Sequence, residues 1–544
     1  MATDTQAHQT SQESSNSRFQ QLQAQLRDRW QPINNFDRSA YDILVVPSLS
    51  LDQRELGKIK GFHHYEERLL FSFIRLRNPQ TRLIYVTSQP IHPDVVDYYL
   101  QLLPGVPISQ ARDRLLMLST YDASPKCLTE KILERPRLVA RIQQSLRPGR
   151  SYMTCYNSTH FEQELALQLD IPLLGVAPDL LHWGTKSGSR DIFAACDIDH
   201  PDGSHLVHSI DDLAAVTAEL WERQTHLKRI VIKLNEGFSG EGNAILDLES
   251  LAHVSPQQAS HRDRALAIAE QFNHLGFQAP SETWANFSQR IPELGAIAEA
   301  FIEGEEKRSP SVQGRITPTG EVEILSTHDQ ILGGPDGQIF LGCRFPADVA
   351  YRQALQEWGY RVGQCLAAKG ALERYSLDVI AVKRPGPASA SASWDLQAIE
   401  INLRKGGTTH PFMTMKLLTN GHYDAGTGMF FDQEGNPKYY IASDNLQKPS
   451  YRGLLPSDLM EMIAHHRLHF NSATETGTAF HLIGCLSEFG KLGLTSIGNS
   501  PEQAEAIHNQ VVHVLDEETQ IGPANLPYSP VVAKSRVSWN GVIQ

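Results

Sequence analysis

Two carboxylates and a side-chain amide stand close together in spacing: Glu400 and Asn402 in the run Glu400-Ile401-Asn402-Leu403-Arg404, and Asp378 22 residues upstream. Glu400 and Asn402 are two apart in a segment with the composition of a strand, Leu396 to Leu403, so a period of two turns both side chains to one face. Asp378 sits in a second strand-like run, Leu377 to Val382. A neighbouring strand can add its carboxylate to the same face. Three oxygen donors form a hard set suited to Mg²⁺ held together with nucleotide phosphates. Arg404, two beyond Asn402, faces the same anionic centre.

A second group of residues handles phosphate. In Arg229-Ile230-Val231-Ile232-Lys233-Leu234 the residues Ile230, Ile232 and Leu234 take one face, and Lys233 takes the other. The loop that follows, Asn235 to Asn243, carries Gly237, Ser239, Gly240 and Gly242, and a second strand begins at Ala244. A glycine-rich loop between two strands is neither a Walker loop nor a dinucleotide fingerprint, because both of those open a helix. Its glycines suit a flap whose backbone N–H groups close over phosphates. Farther on, Ile297 to Glu306 has the form of a strand ending in an acidic turn. Its backbone is suited to reading adenine, and Glu306 to holding ribose hydroxyls.

These residues need elements to carry them. At 544 residues the chain is too long for one core and is expected to hold about three domains. Residues 1–38 read as a flexible or loosely helical tail. Residues 39–182 alternate short apolar strands (Ile43 to Pro47, Leu83 to Val86, Leu115 to Leu118) with helices at Glu55 to Arg77, Pro93 to Leu103 and Thr129 to Leu146. That alternation implies a small parallel, Rossmann-like sheet. Residues 183–430 form a second α/β region, interrupted by a Pro/Ala/Ser-rich hairpin loop after Lys383. Residues 431–544 form a third segment, with helices at Pro456 to His469 and Pro501 to Asp516.

The net charge of −13 and the lack of a Lys/Arg block exclude a nucleic-acid surface. Six scattered cysteines with no CxxC pair fit a reducing compartment. No apolar run reaches the roughly 20 residues needed to span a bilayer, and the first residues lack a signal-peptide core, so the expected location is cytoplasmic. His465, His466 and His469 include a pair at i,i+4 without the H-E-x-x-H pattern, and they read as surface or packing histidines.

The order of elements, lysine strand, glycine flap, hinge with acid, then Asp…Glu-x-Asn-x-Arg, resembles the ATP-grasp superfamily over about Gly184 to Gly421. The resemblance implies ATP lying between two α+β subdomains. Lys186, in Gly184-Thr185-Lys186-Ser187, matches the first phosphate-contacting lysine and Lys233 the second. Glu299 matches the acid beside adenine, Ala300, Phe301 and Ile302 the hinge, and Glu306 the ribose acid. Asp378, Glu400 and Asn402 match the metal ligands. Ser326 to Gly334, Leu341 to Pro346, Glu400 to Pro411 and Glu475 to Leu486 are similar to the pheganomycin-type peptide ligases. Those have a Rossmann-like pre-ATP-grasp domain, an ATP-grasp core and a small C-terminal domain, which gives the expected α/β and α+β multidomain fold.

The implied chemistry is ATP- and Mg²⁺-dependent ligation of a carboxylate to an amine through an acylphosphate, with Mn²⁺ as a substitute ion. Arg404 is assigned to the acylphosphate, and Arg315 and Arg344 to the same cleft. The expected substrates are amino acids or peptides, with a homo-oligomer left open. A phosphotransferase and a non-catalytic ATP-binding protein are the rival readings.

Overall fold

The computed structural model describes residues 2–34, 39–51, 53–237, 242–278, 282–333, 339–384 and 393–520. The first sheet is parallel, in the order β3-β2-β1-β4-β5, built from β1 (Asp42–Val46), β2 (Arg82–Thr87), β3 (Leu115–Ser119), β4 (Ser151–Cys155) and β5 (Leu173–Leu174). All five residues of β1 are buried, as expected of a central parallel strand covered on both faces. The expected helix over Thr129 to Leu146 is two helices, Leu128–Leu133 and Pro136–Ser145. Pro136 starts the second because it lacks the N–H that would continue the first. The expected helix over Glu55 to Arg77 is likewise divided, into a short α-helix (Gln53–Lys58) and a 3₁₀ helix (Phe62–Arg77).

Of the two alternatives for the N-terminal segment, the structure has the helical one. It is a helix over Ala2–Asn34, in which Phe19, Leu22, Leu26, Trp30 and Ile33 are buried. Their spacings of three and four residues put them on one stripe. Phe19 packs in the core of the parallel sheet, while Leu26, Trp30 and Ile33 join a cluster reaching to Phe480 and Leu492.

A small antiparallel sheet, β8-β7-β6-β9, follows, from β6 (Arg229–Leu234), β7 (Asn243–Asp247), β8 (Gly276–Phe277) and β9 (Ala296–Ala300). Ile230, Ile232 and Leu234 sink into its own core with Leu213, Leu220 and Trp221 of the helix Ile210–Arg223. Lys233 is left on the opposite face.

The large sheet has eleven strands. Its path runs β10-β14-β11-β12-β13-β18-β17-β16, from β10 (Lys307–Arg308), β11 (Pro310–Ile316), β12 (Val322–Gly333), β13 (Ile339–Phe345), β14 (Glu373–Lys383), β15 (Trp394–Asn402), β16 (His422–Asp424), β17 (Met429–Phe431) and β18 (Pro437–Gln447). β15 pairs β14, and β19 (Gly477–His481) joins through β20 (Lys491–Gly498) to β18. The expected boundary near residue 430 therefore falls inside a strand ladder. The C-terminal segment continues the sheet, and β13 bonds directly to β18 with Gly342 opposite Ser443. A Cβ on Gly342 would lie 2.2 Å from the Ala442 carbonyl oxygen, so only glycine lets these strands close. β14 alternates in period two: Tyr375, Leu377, Val379 and Ala381 pack under the helix Arg352–Ala368, and Ser376 and Asp378 face the other way. The Pro/Ala/Ser loop joins β14 to β15, and its residues 385–392 lie outside the described ones. No described helix is long and apolar enough to cross a membrane.

Candidate active site

The small sheet and the large sheet face each other across a cleft of about 1000 Å³. On the small-sheet wall, Lys233 donates to Glu299, one strand away on β9. Arg190 Nη1 donates to the other oxygen of Glu299 at 3.1 Å. Burial works to raise the Glu299 carboxyl, yet the two cations hold it below its ordinary value. Ala300, Phe301 and Ile302 continue this wall.

Lys186 begins the helix Lys186–Ala195, whose N-terminus is capped by Thr185 Oγ1 accepting from Gly188 N at 3.1 Å. A side chain at Gly188 would strike the His182 carbonyl, which lets the turn before Lys186 wind tightly. Asn235, just after β6, accepts from the backbone N–H groups of Lys186 and Ser187 at 3.0 and 2.9 Å. The two lysine-bearing elements are thereby fixed to each other.

On the large-sheet wall, Asp378 and Glu400 are direct cross-strand partners on β14 and β15, with Asn402 opposite Ser376. Lys186 Nζ donates to Glu400 Oε1 at 2.5 Å. Asp378 accepts from Gln330 Nε2 at 2.9 Å and from Asn402 Nδ2 at 3.0 Å. Burial, and then the charge of Glu400, push the Asp378 carboxyl up to about 7. Two half-buried carboxylates face each other across the ladder, and the cation bonded to the pair, Lys186, balances one of them. An all-oxygen donor set with that electrostatic deficit fits a hard divalent cation. Arg404, Gly406, Gly407 and Thr408 line the cleft next to this centre.

The other expected site residues divide. Arg344 lines the cleft and pairs with Glu505 at 3.2 Å. Glu306 is exposed and bonded to Lys383 at 2.6 Å, beside the cleft-lining Lys307 and Arg308. Gly237 and Gly242 flank the flap, Gly242 with φ +81°, and Ser239 and Gly240 lie outside the described residues. Arg315 is not in the cleft. It shares the face of Ser311 and Gln313, but two residues past them along β11 it bonds Glu323 and lies 4.8 Å over the Trp30 ring. The segment faces the cleft as expected at Ser311 and Gln313, but Arg315 lies beyond the cleft's end.

Sequence reasoning also missed residues from outside 183–430. Arg68, from the N-terminal domain, and Asp444, on β18, line the same cleft and are paired at 2.5 Å. Burial opposes the charge on Asp444, but Arg68 and His410 hold its carboxyl well below the usual range. His410 and His481 both donate to its Oδ1, at 2.8 and 2.6 Å. His410 and His481 lie in runs that carry the family likeness. Asp444 has no signal in the sequence.

The pattern of an IQCH-like ATP-grasp family matches residues 179–275 and 266–426, the segments that build both walls. A second pattern, the PGM1 C-terminal domain, matches residues 458–511. A curated relative from Streptantibioticus cattleyicolor, L-propargylglycine--L-glutamate ligase, is 27% identical over 471 residues, covering 85% of this chain and 91% of its own. Residues 179–426 are thus similar to an ATP-grasp family, and most of the chain to a ligase. The chain is also similar to IQ motif-containing protein H of Danio rerio, 25% identical over 74% of this chain and 41% of that longer protein. Among solved structures, the biotin carboxylase–β,γ-ATP complex of Campylobacter jejuni shares the ATP-grasp fold, with a TM-score of 0.51 at 13% identity, covering 86% of this chain and 89% of that one.

Proposed function

We propose that this protein is a ligase that joins the carboxylate of one amino acid or peptide to the amine of another, with ATP and Mg²⁺, Mn²⁺ being a substitute ion. The observation that carries the reading is the pair Asp378 and Glu400, opposed across one ladder and facing the wall of Lys233 and Glu299. The relative named for joining L-propargylglycine and L-glutamate supports amino acids as the substrate class.

A substrate carboxylate oxygen attacks the γ-phosphorus, and ADP leaves. The amine nitrogen then attacks the acyl carbon, losing a proton as phosphate departs and the amide forms. Such transfers depend on positioning and charge neutralisation. Lys186 and Lys233 are assigned to the phosphates, the backbone of Ala300 to Ile302 to adenine, and Glu299 to orienting Lys233. Asp378, Glu400 and Asn402 would hold Mg²⁺, which when bound neutralises the phosphate charge. Arg404 is assigned to the oxyanion of the acylphosphate, since a guanidinium binds oxyanions bidentately. Arg344 and Glu306 are assigned to the cleft's edge.

Phosphate release by the purified protein with ATP, Mg²⁺ and pairs of amino acids, followed by mass spectrometry of positive mixtures, tests the reading. Amide product that vanishes in Glu400→Ala and Lys233→Ala, both still folded, is expected. ADP formation with no dependence on an amine would overturn it in favour of phosphate transfer to a stable acceptor.

A further inference from the structure

Behind the cleft lies a gathering of cations that the ligation chemistry does not use. Arg315 on β11 and Arg374 on β14 are direct cross-strand partners. They share the face of Ser311, Gln313, Ser376 and Asp378. At about 3.3 Å per residue, Arg374 stands about 13 Å along the strand from Asp378. Like charges directly opposite each other weaken a ladder, and here more positive charge converges on the pair. Met413 Sδ lies 2.8 Å from Arg374 Nη2, so Lys416, three residues on in the helix Thr409–Thr419, shares the face turned to Arg374. Arg75 arrives from the last turn of the 3₁₀ helix Phe62–Arg77.

Negative charge does not keep pace. Glu323 is committed to Arg315. Glu373 lies 3.7 Å from Arg374 Nε and 3.6 Å from Lys405 Nζ, beyond hydrogen-bond reach of both. Among the described residues neither Arg75 nor Lys416 has an ion-pair partner, and Arg374 Nε is buried without an acceptor. Arg374 is only 8% exposed, and its one hydrogen bond ends on a thioether. Burial first, then Arg315, Arg374 and Arg75, push the Lys416 amine down to about 8. A buried guanidinium with an unused donor, among cations that outnumber the carboxylates beside them, is costly unless an anion completes it. In a chain of net charge −13, such a concentration is not a general property of the surface.

We propose that Arg75, Arg315, Arg374 and Lys416 form a binding site for a small multivalent oxyanion, separate from the nucleotide cleft. Phosphate and polycarboxylate share the chemistry that two planar guanidinium groups and an ammonium recognise. The four residues come from the N-terminal domain, two strands of the large sheet and the helix after the Gly406-Gly407 loop. An anion seated there ties those elements together and stabilises the wall that carries Asp378.

Thermal unfolding of the full chain, saturated with ADP so that the cleft is filled, tests this in about 10 mM phosphate, citrate or chloride at equal ionic strength. A rise in Tm of about 3 °C or more over chloride is expected. A larger rise in phosphate points to a phosphate ester as the natural ligand, and a larger rise in citrate to a polycarboxylate. Arg374→Met and Lys416→Gln each abolish the response, and Lys233→Ala retains it. Equal Tm in all three salts, or a response that survives in both Arg374→Met and Lys416→Gln, would overturn the proposal. None of these readouts requires ligase activity, so they stand or fall apart from the proposed reaction.

Discussion

Glu299 does more at this site than neutralise Lys233. It is 3% exposed and its two oxygens are divided between Lys233 and Arg190, so its removal strands two cations in a wall that has little water. Glu299→Ala is therefore expected to destabilise by about 3–5 kcal/mol, read from urea unfolding. Lys233→Ala relieves half of the imbalance and should cost less. His328 gives a second, cleaner test. It is fully buried on β12, with Nε2 2.6 Å from the Tyr440 hydroxyl, and desolvation lowers its pKa to about 3. Its unfolded value is near 6.5, so from pH 6.5 down toward 3 the unfolded chain binds a proton that the native chain refuses. Stability from this group is complete above pH 6.5 and falls by about 1.4 kcal/mol per pH unit below it. An NMR titration that shows His328 still neutral at pH 5 checks the cause directly.

The strands explain which parts of the site were legible. The alternation of Lys233 against Ile230, Ile232 and Leu234 follows from apolar spacing, and so does the common face of Glu400 and Asn402. Pairing was not readable. That Asp378 meets Glu400, and Arg315 meets Arg374, depends on register, which side-chain types do not encode along a strand polar on one face. Arg315 was placed in the right segment, but it lies past the part of that segment that lines the cleft. The polar first half of the N-terminal helix kept a flexible tail open as an alternative, although the spacing of Phe19, Leu22, Leu26, Trp30 and Ile33 was there to find. Trp30→Ala removes a 4%-exposed ring from the core and the surface over which Arg315 lies. A loss of about 3–5 kcal/mol is expected by denaturant titration. On β13, Gly342→Ala forces a methyl against the Ala442 carbonyl and should cost about 1–3 kcal/mol, seen as faster amide exchange in β18.

The C-terminal domain expected after residue 430 continues the large sheet of the core before it. The parallel sheet was legible from its strand–helix alternation. The junction of β13 with β18, and the core cluster joining Trp30 and Tyr99 to Phe480 and Leu492, were not, because both rest on contacts distant in sequence. A chain truncated after Phe431 is expected to expose the unpaired edge of β13 and the part of that core which residues beyond 431 cover, and to elute as aggregate in size-exclusion chromatography. A monomeric, ATP-binding fragment would contradict this account.

Asn235 bears on how the ligase moves. The helix of Lys186 is clamped to β15 through Ser189 Oγ, which accepts from Ile401 N at 3.0 Å, whereas Lys233 belongs to a sheet with a core of its own. The two cations thus ride on separately packed elements, and the Asn235 contacts with Lys186 and Ser187 would serve as the pivot between them. A triphosphate gripped by both would act as a drawstring across that pivot. Small-angle scattering should then register a contraction when a nucleotide triphosphate is added, and a much weaker one when the triphosphate is replaced by adenosine.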